Sequence, residues 1–169
     1  IPPHYFRPEG AQEVADWLVR LASVAEDLPL YYYHIPVRSG VSVCVRDVLA
    51  AAGPRAPNVV GVKFTHEDLM DFLRCLRLEG GRFDMLFGRD EILLGALAMG
   101  ARGAVGTTYN FAAPLYRRIM DAFARGDLQA ARAEQARAAE MIAVMLRSGG
   151  VSASKAMMGL IGLDCGPPR

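Results

Sequence analysis

The sequence predicts an α/β fold in which four parallel strands alternate with helices, as in the C-terminal half of a (β/α)8 TIM barrel. The centres of four strand-like segments lie roughly 20 to 30 residues apart, which is the length of a βα unit. Helical patterns lie between these segments, and such an alternation forms a parallel sheet covered by helices. The opening IPPHYF resembles the end of an earlier strand. We therefore interpret residues 1–169 as a single domain that forms half of a barrel.

Four segments are rich in the β-branched and aromatic residues that strands favour. They are LYYYHI at 30–35, VVGVKF at 59–64, DMLFG at 84–88 and GAVGTT at 103–108. The valines of VVGVKF indicate a strand that is buried on both faces of the sheet. The βα units thus occupy residues 30–126, and residues 127–169 are expected to add C-terminal helices.

Apolar residues at helical spacing predict one helix before the first strand and one after each strand. The first lies at 11–28, the next four at 42–53, 66–81, 90–100 and 113–126, and two C-terminal helices at 127–150 and 152–163. In the first helix, the side chains expected to face inward are Val14, Leu18, Leu21 and either Val24 or Ala25. Asp127 is expected to cap the long C-terminal helix.

Composition and charge exclude several classes of protein. The chain is 52% hydrophobic and 22% charged, which is typical of a globular protein. Its 19 basic and 18 acidic residues give a net charge of +1, so nothing favours a nucleic acid or an anionic membrane as a partner. The longest apolar stretch, ILLGALAMGA, is shorter than the about 20 residues that cross a bilayer. The N-terminus has no signal-peptide pattern, and no phosphate-binding glycine loop is present.

The cysteines and histidines predict neither a disulfide nor a metal site. Cys44, Cys75 and Cys165 are odd in number and far apart, which favours free thiols in a reducing compartment, the cytosol. The three histidines lack metal-ligand spacing. We therefore expect no metal and no cofactor.

Lys63 interrupts a strand whose other residues are suited to burial. A buried ammonium is costly unless it is paired, and a desolvated lysine can instead be neutral near pH 7 and attack a ketone to form a Schiff base. The resulting iminium accepts electrons when an adjacent C–C bond breaks. Tyr33, at the end of the preceding strand, could exchange a proton with a substrate hydroxyl. A lysine at a strand end is also often a surface residue, and Tyr33 could belong to the core.

Further polar residues follow the strand ends, where barrels of this kind place their active sites. Asp90 and Glu91 suit a polyhydroxylated substrate because carboxylates accept hydrogen bonds from sugar hydroxyls. Gly88 would leave room for a ligand, and Thr107 would add a polar contact. Asp90 could instead cap the helix that follows, with Glu91 in its first turn.

Several stretches resemble a known family. YYYHIPVRSG, GVKFTHEDLMDF, LFGRDEILLGALAMGARGAVGTTYN and the terminal GPPR are similar to the N-acetylneuraminate lyases. These are class I pyruvate aldolases of the dihydrodipicolinate synthase superfamily. The resemblance implies a homotetramer that cleaves N-acetylneuraminate to N-acetylmannosamine and pyruvate through a lysine–pyruvate Schiff base. It makes Lys63 the Schiff-base lysine and Tyr33 the proton-transfer tyrosine. The residues that it places at the sugar are Thr65, Gly88, Asp90, Glu91 and Thr107.

Three departures from the family pattern leave alternatives open. Thr107 replaces a usual serine, and Arg38 replaces a usual leucine. An arginine at that place is typical of dihydrodipicolinate synthase, where it binds the carboxylate of the aldehyde substrate. The loop that holds the pyruvate carboxylate is absent from these 169 residues. The chain is therefore expected to be inactive alone, either as part of a longer lyase or as a non-catalytic half-barrel.

Overall fold

The computed structural model describes residues 1–167, which form two compact units. The first unit comprises Ile1–Arg89 and Ala98–Ala104, and the second comprises Asp90–Leu97 and the described residues from Val105 onward. The last two residues of the GPPR motif, Pro168 and Arg169, lie outside the described residues.

The first unit contains a four-stranded parallel sheet with the strand order β1-β2-β3-β4. The strands are β1 (Leu30–His34), β2 (Val59–Phe64), β3 (Asp84–Phe87) and β4 (Gly103–Ala104). The predicted α/β class and parallel sheet are confirmed, and the arrangement is that of half a (β/α)8 barrel. The fourth strand is much shorter than the predicted 103–108.

Four helices of the first unit accompany β1, β2 and β3. They are α1 (Ala11–Ala22), α2 (Pro36–Ser39), α3 (Val45–Ala52) and α4 (Leu69–Arg77), and a 3-10 turn (Leu78–Gly80) follows α4. Helix α3 packs against both α1 and α4.

The inward face predicted for the first helix is partly wrong. The buried residues of α1 are Val14, Ala15, Leu18 and Ala22. Leu21 is 42% exposed and Val24 is 82% exposed. Leu21 lies off the helical row that Leu18 and Ala22 share, and Val24 follows the end of the helix. Because α1 ends at Ala22, Val24 and Ala25 cannot extend its apolar face.

Side chains alternate between the two faces of the sheet, as parallel strands require. On the helix-covered face, the aromatic rings of His34, Phe64, Phe72 and Phe87 form a cluster of tilted and edge-to-face contacts, with the centroids of successive rings 5.2–5.4 Å apart. Burial lowers the pKa of His34 to about 4, so this ring is neutral near pH 7 and acts as a packing residue.

The opposite face of the sheet, which we call the open face, carries two rows of residues. Tyr31 is in register with Gly61, and Gly61 with Asp84. Tyr33, Lys63 and Leu86 form the second row, two residues further along each strand. None of the side chains in these rows is fully buried in the described structure.

Asp71 joins α4 to the start of α3. Its carboxylate is 4% exposed and accepts hydrogen bonds from the backbone N–H groups of Val45 (2.6 Å) and Arg46 (3.2 Å). The N-cap position of α3 is Cys44, whose side chain does not cap the helix. A carboxylate at a helix N-terminus satisfies orphan N–H groups and complements the helix dipole. Asp71 therefore supplies, from a neighbouring helix, the cap that α3 lacks locally.

The second unit is helical. It contains a 3-10 turn (Asp90–Ile92), most of α5 (Leu93–Met99), α6 (Tyr109–Ala124), α7 (Leu128–Arg147) and α8 (Val151–Leu160). The predicted N-cap is confirmed, because the Asp127 carboxylate accepts a hydrogen bond from the N–H of Ala130 (2.9 Å). Helix α6 begins four residues before the predicted position 113 and includes Pro114. No helix within residues 1–167 is both long and apolar enough to cross a membrane.

The Asp71 cap can be tested by its contribution to stability. Asp71→Ala is expected to lower the free energy of unfolding by about 2 kcal/mol, because two buried N–H groups lose a charged acceptor. Asp71→Asn keeps an acceptor and should lower it less. The measurement is urea unfolding, with Asp121→Ala, a change at an exposed acid of α6, as control. Equal stability of Asp71→Ala and wild type would contradict the capping role.

Candidate active site

Lys63 and Tyr33 are neighbours on the open face. The two residues are paired in the β1–β2 register, and Lys63 Nζ lies 4.1 Å from the centroid of the Tyr33 ring. Both side chains are half-buried. Among the described residues, Lys63 has no carboxylate within ion-pair distance. The structure therefore brings together the two residues that the sequence predicts to be catalytic and holds the amine against an aromatic face.

Thr65 and Gly88 meet one residue beyond the ends of β2 and β3. The backbone extends the ladder, since Thr65 N–H donates to the His34 carbonyl (2.8 Å) and Gly88 N–H donates to the Phe64 carbonyl (2.8 Å). The Thr65 hydroxyl is buried and has no hydrogen-bond partner among the described residues. A Cβ atom at Gly88 would overlap with that hydroxyl. In this structure, the absence of a side chain at Gly88 thus makes room for the hydroxyl of Thr65.

Asp90, in the second unit, binds the loop before α6. It is 6% exposed, and its Oδ2 atom accepts hydrogen bonds from the backbone N–H (3.0 Å) and hydroxyl (2.6 Å) of Thr108. Its Oδ1 atom is buried without a partner among the described residues. A Cβ atom at Gly106 would overlap with this carboxylate. Within residues 1–167, the alternative role of Asp90 as a cap for its own helix is not observed, because both hydrogen bonds of its carboxylate come from Thr108.

Two tyrosines complete the surroundings of Thr108. The Thr108 hydroxyl gives its proton to Asp90, so at 2.5 Å from the Tyr116 hydroxyl it acts as the acceptor. Burial raises the pKa of Tyr116 to about 12 and raises that of Tyr109, whose hydroxyl is buried without a partner among the described residues. Both phenols are therefore protonated at neutral pH, and that of Tyr116, unlike that of Tyr109, has a hydrogen-bond partner among residues 1–167.

Glu91 and Thr107 also belong to the second unit. The Glu91 side chain is half-buried, and its backbone carbonyl accepts a hydrogen bond from Gln135 Nε2 (3.0 Å) on α7. Gln135 Oε1 in turn accepts from the N–H of Leu94 (2.8 Å), so Gln135 anchors the start of α5. Thr107 is exposed and lies in the loop after β4, where its carbonyl accepts from Asn110 Nδ2 (2.9 Å). The predicted strand position of Thr107 is wrong, because the strand ends at Ala104.

The sequence analysis missed the residues that position these side chains, namely Thr108, Tyr116 and Gln135. Their signals in the sequence are weak, since each partner is distant along the chain or lies in a different element. Within residues 1–167, no group of three or more histidine, cysteine or acidic side chains could hold a metal ion.

The contact between Thr65 and Gly88 gives a test of the first unit. Gly88→Ala is expected to lower the free energy of unfolding by about 1–3 kcal/mol because of overpacking. In a Thr65→Ala background the same change should cost less, since the overlapping hydroxyl is gone. Chemical unfolding of the four forms measures this coupling. Gly159→Ala, at a helical glycine with open space around it, is the control, and equal costs in both backgrounds would rule out the contact.

Comparisons with known proteins show the family of this chain. The Dihydrodipicolinate synthetase family matches residues 1–169. The N-acetylneuraminate lyase of Gallus gallus is 41% identical over the whole chain, which covers 56% of that protein. Among solved structures, the N-acetylneuraminate lyase of Proteus mirabilis superposes with a TM-score of 0.94 and 41% identity, with 99% of this chain and 56% of that chain covered.

The lyase of Aliivibrio salmonicida superposes with a TM-score of 0.95 and 40% identity, and 99% of this chain covers 56% of that one. This chain thus spans about half the length of the relatives it matches. Because the family match extends over every residue, the chain belongs to the Dihydrodipicolinate synthetase family.

Proposed function

We propose that the protein to which these residues belong is an N-acetylneuraminate lyase, which cleaves N-acetylneuraminate to N-acetylmannosamine and pyruvate. The observation that carries the proposal is the pair of Lys63 and Tyr33, with the amine 4.1 Å from the ring centroid on a half-exposed strand position. The similarity of about 40% to lyases over the whole chain supports it.

Lys63 forms the covalent intermediate in this proposal. Its neutral amine attacks the ketone carbon of the substrate, and loss of water gives a protonated Schiff base. Tyr33 acts as a phenolate and accepts the proton of the substrate hydroxyl as the C–C bond breaks. The bonding electrons pass into the iminium and leave an enamine of pyruvate. The Tyr33 phenol formed in this step returns its proton to the enamine carbon, and hydrolysis of the resulting iminium releases pyruvate and the free lysine.

The remaining predicted residues hold the sugar portion. Thr65 has a buried hydroxyl without a partner, and Asp90 Oδ1 has unused acceptor capacity. An acceptor of this kind suits a sugar hydroxyl, since carboxylates accept up to four hydrogen bonds. The other proposed contacts are Gly88, Glu91 and Thr107. We further propose that the protein acts in the cytosol as a homotetramer.

The assignment of Lys63 is tested by trapping. Borohydride reduction in the presence of pyruvate should attach one adduct to Lys63 of the protein at its natural length. Lys63→Arg should abolish this label, because a guanidinium stays charged near pH 7 and supplies no neutral amine. Peptide mapping provides an internal control in Lys155, whose Nζ donates to the carbonyls of Cys165 (3.3 Å) and Pro167 (3.0 Å). A label on Lys155 instead of Lys63 would refute the proposal.

Tyr33→Phe separates binding of pyruvate from proton transfer. The ring that contacts Lys63 remains, so adduct formation should stay measurable. Loss of the phenol should lower kcat by about 10²–10⁴-fold, the usual contribution of a positioned acid or base. The measurement is pyruvate release from N-acetylneuraminate. Near-normal turnover would assign proton transfer to a different group.

Arg38 decides between this proposal and a dihydrodipicolinate synthase. It is exposed on α2, directly after β1, and its side chain forms no ion pair or hydrogen bond with another described residue. In a synthase, Arg38→Leu should abolish condensation of pyruvate with aspartate semialdehyde, because the aldehyde carboxylate loses its partner. In a lyase, cleavage of N-acetylneuraminate should survive. Loss of this cleavage in Arg38→Leu would show that the arginine serves the lyase site.

A further inference from the structure

A hydrogen bond crosses the open face in the row that precedes Lys63, two residues nearer the N-terminal ends of the strands; we call this the row below Lys63. The Tyr31 hydroxyl donates to Asp84 Oδ2 at 2.7 Å, although these residues lie on β1 and β3, with β2 between them. Neighbouring strands lie about 4.8 Å apart, so the bond links positions roughly 10 Å apart. It ties together the two strands that flank Lys63.

Gly61 makes this bond possible. It occupies the position on β2 directly between Tyr31 and Asp84 in the register. A Cβ atom at Gly61 would lie 2.5 Å from Tyr31 Cε1 and would overlap with the carbonyl of Asp84. The Tyr31 ring therefore passes directly over the glycine. This gives Gly61 a reason to stand in a strand that otherwise favours β-branched residues.

The Tyr31 phenol can donate this bond at neutral pH. The hydrogen bond itself, together with slight burial and the charge of Asp84, raises the pKa of Tyr31 above the ordinary value of tyrosine. The phenol is therefore protonated near pH 7.

The row above contains the candidate catalytic pair. Side chains two residues apart on a strand point to the same face, about 6–7 Å from one another. Tyr31 thus lies below Tyr33, Gly61 below Lys63 and Asp84 below Leu86. The lysine side chain has four rotatable bonds and can therefore adopt many conformations. On its own strand, no side chain lies in the row below it, since that position is Gly61. The crossing Tyr31 ring fills that space.

We propose that Tyr31 and Asp84 are positioning residues, whose hydrogen bond over Gly61 keeps Lys63 against the ring of Tyr33. The bond limits the separation of β1 and β3 and blocks Lys63 from folding towards the N-terminal ends of the strands. The importance of the Lys63 side-chain position for catalysis rests on the proposed function. The side-chain position itself can be measured without turnover.

Reductive methylation with ¹³C-formaldehyde reports the position of Lys63 without any turnover. The methyl signal of Lys63, identified by its absence in Lys63→Arg, should be shifted upfield by the face of the Tyr33 ring. Tyr31→Phe and Asp84→Ala should both move this signal towards that of a freely exposed dimethyl-lysine. Asp84→Asn retains an acceptor for the Tyr31 hydroxyl and should keep the shift, which separates the hydrogen bond from the charge. Asp47→Ala is the control, an exposed acid away from the sheet.

The catalytic consequence is measured in the same variants. Tyr31→Phe and Asp84→Ala should lower kcat roughly tenfold, a size compatible with the misplacement of one reacting group. The double variant should be no worse than either single one, and Asp84→Asn should be close to wild type.

An unchanged Lys63 signal in both Tyr31→Phe and Asp84→Ala would overturn the positioning role. So would equal defects in Asp84→Asn and Asp84→Ala, because the charge would then be responsible. If the wild type forms no adduct with pyruvate, the proposed function fails, but the methyl signals still decide whether the bond positions Lys63.

Discussion

The register of β1 on β2 is the constraint on which the candidate site depends. Side chains alternate across a strand with a period of two, so a slip of one residue would exchange the two faces of the sheet. Lys63 would then point beneath the helices, and Phe64 would leave the aromatic cluster on that face. The packing of His34, Phe64, Phe72 and Phe87 therefore helps to determine the face to which Lys63 points.

The polar residues of the structure act mainly across elements. Asp71 on α4 caps α3, Asp90 binds the loop before α6, and Gln135 on α7 anchors the start of α5. Each of these side chains accepts a hydrogen bond from a backbone N–H group in another segment, where that group has no partner within its own helix or loop. These contacts hold the starts of α3 and α5 and the loop before α6 in place. The side chains that make them lie elsewhere in the same unit.

Periodicity predicted the fold class, the order of elements and three of the four strands, because buried faces leave a repeating trace in the sequence. The Asp127 cap was also predicted, since its bond is local. The end of β4 and the start of α6 were missed because Thr108 bonds to Asp90, eighteen residues away. Chemistry and family resemblance predict Lys63 and Tyr33 as catalytic residues, and the structure shows only that they are neighbours. The Tyr31–Asp84 bond could not be foreseen, because it requires the register of three strands.

The burial of Asp90 has a consequence for how the sequence of related proteins can vary. Its carboxylate holds the loop at Thr108, and a Cβ atom at Gly106 would overlap with it, so a change at either position would disturb that loop. Thr107, by contrast, is exposed, and the bonds from Asn110 go to its backbone carbonyl. Its side chain can vary without loss of those bonds. Evolutionary substitutions should therefore be tolerated at Thr107 and resisted at Asp90.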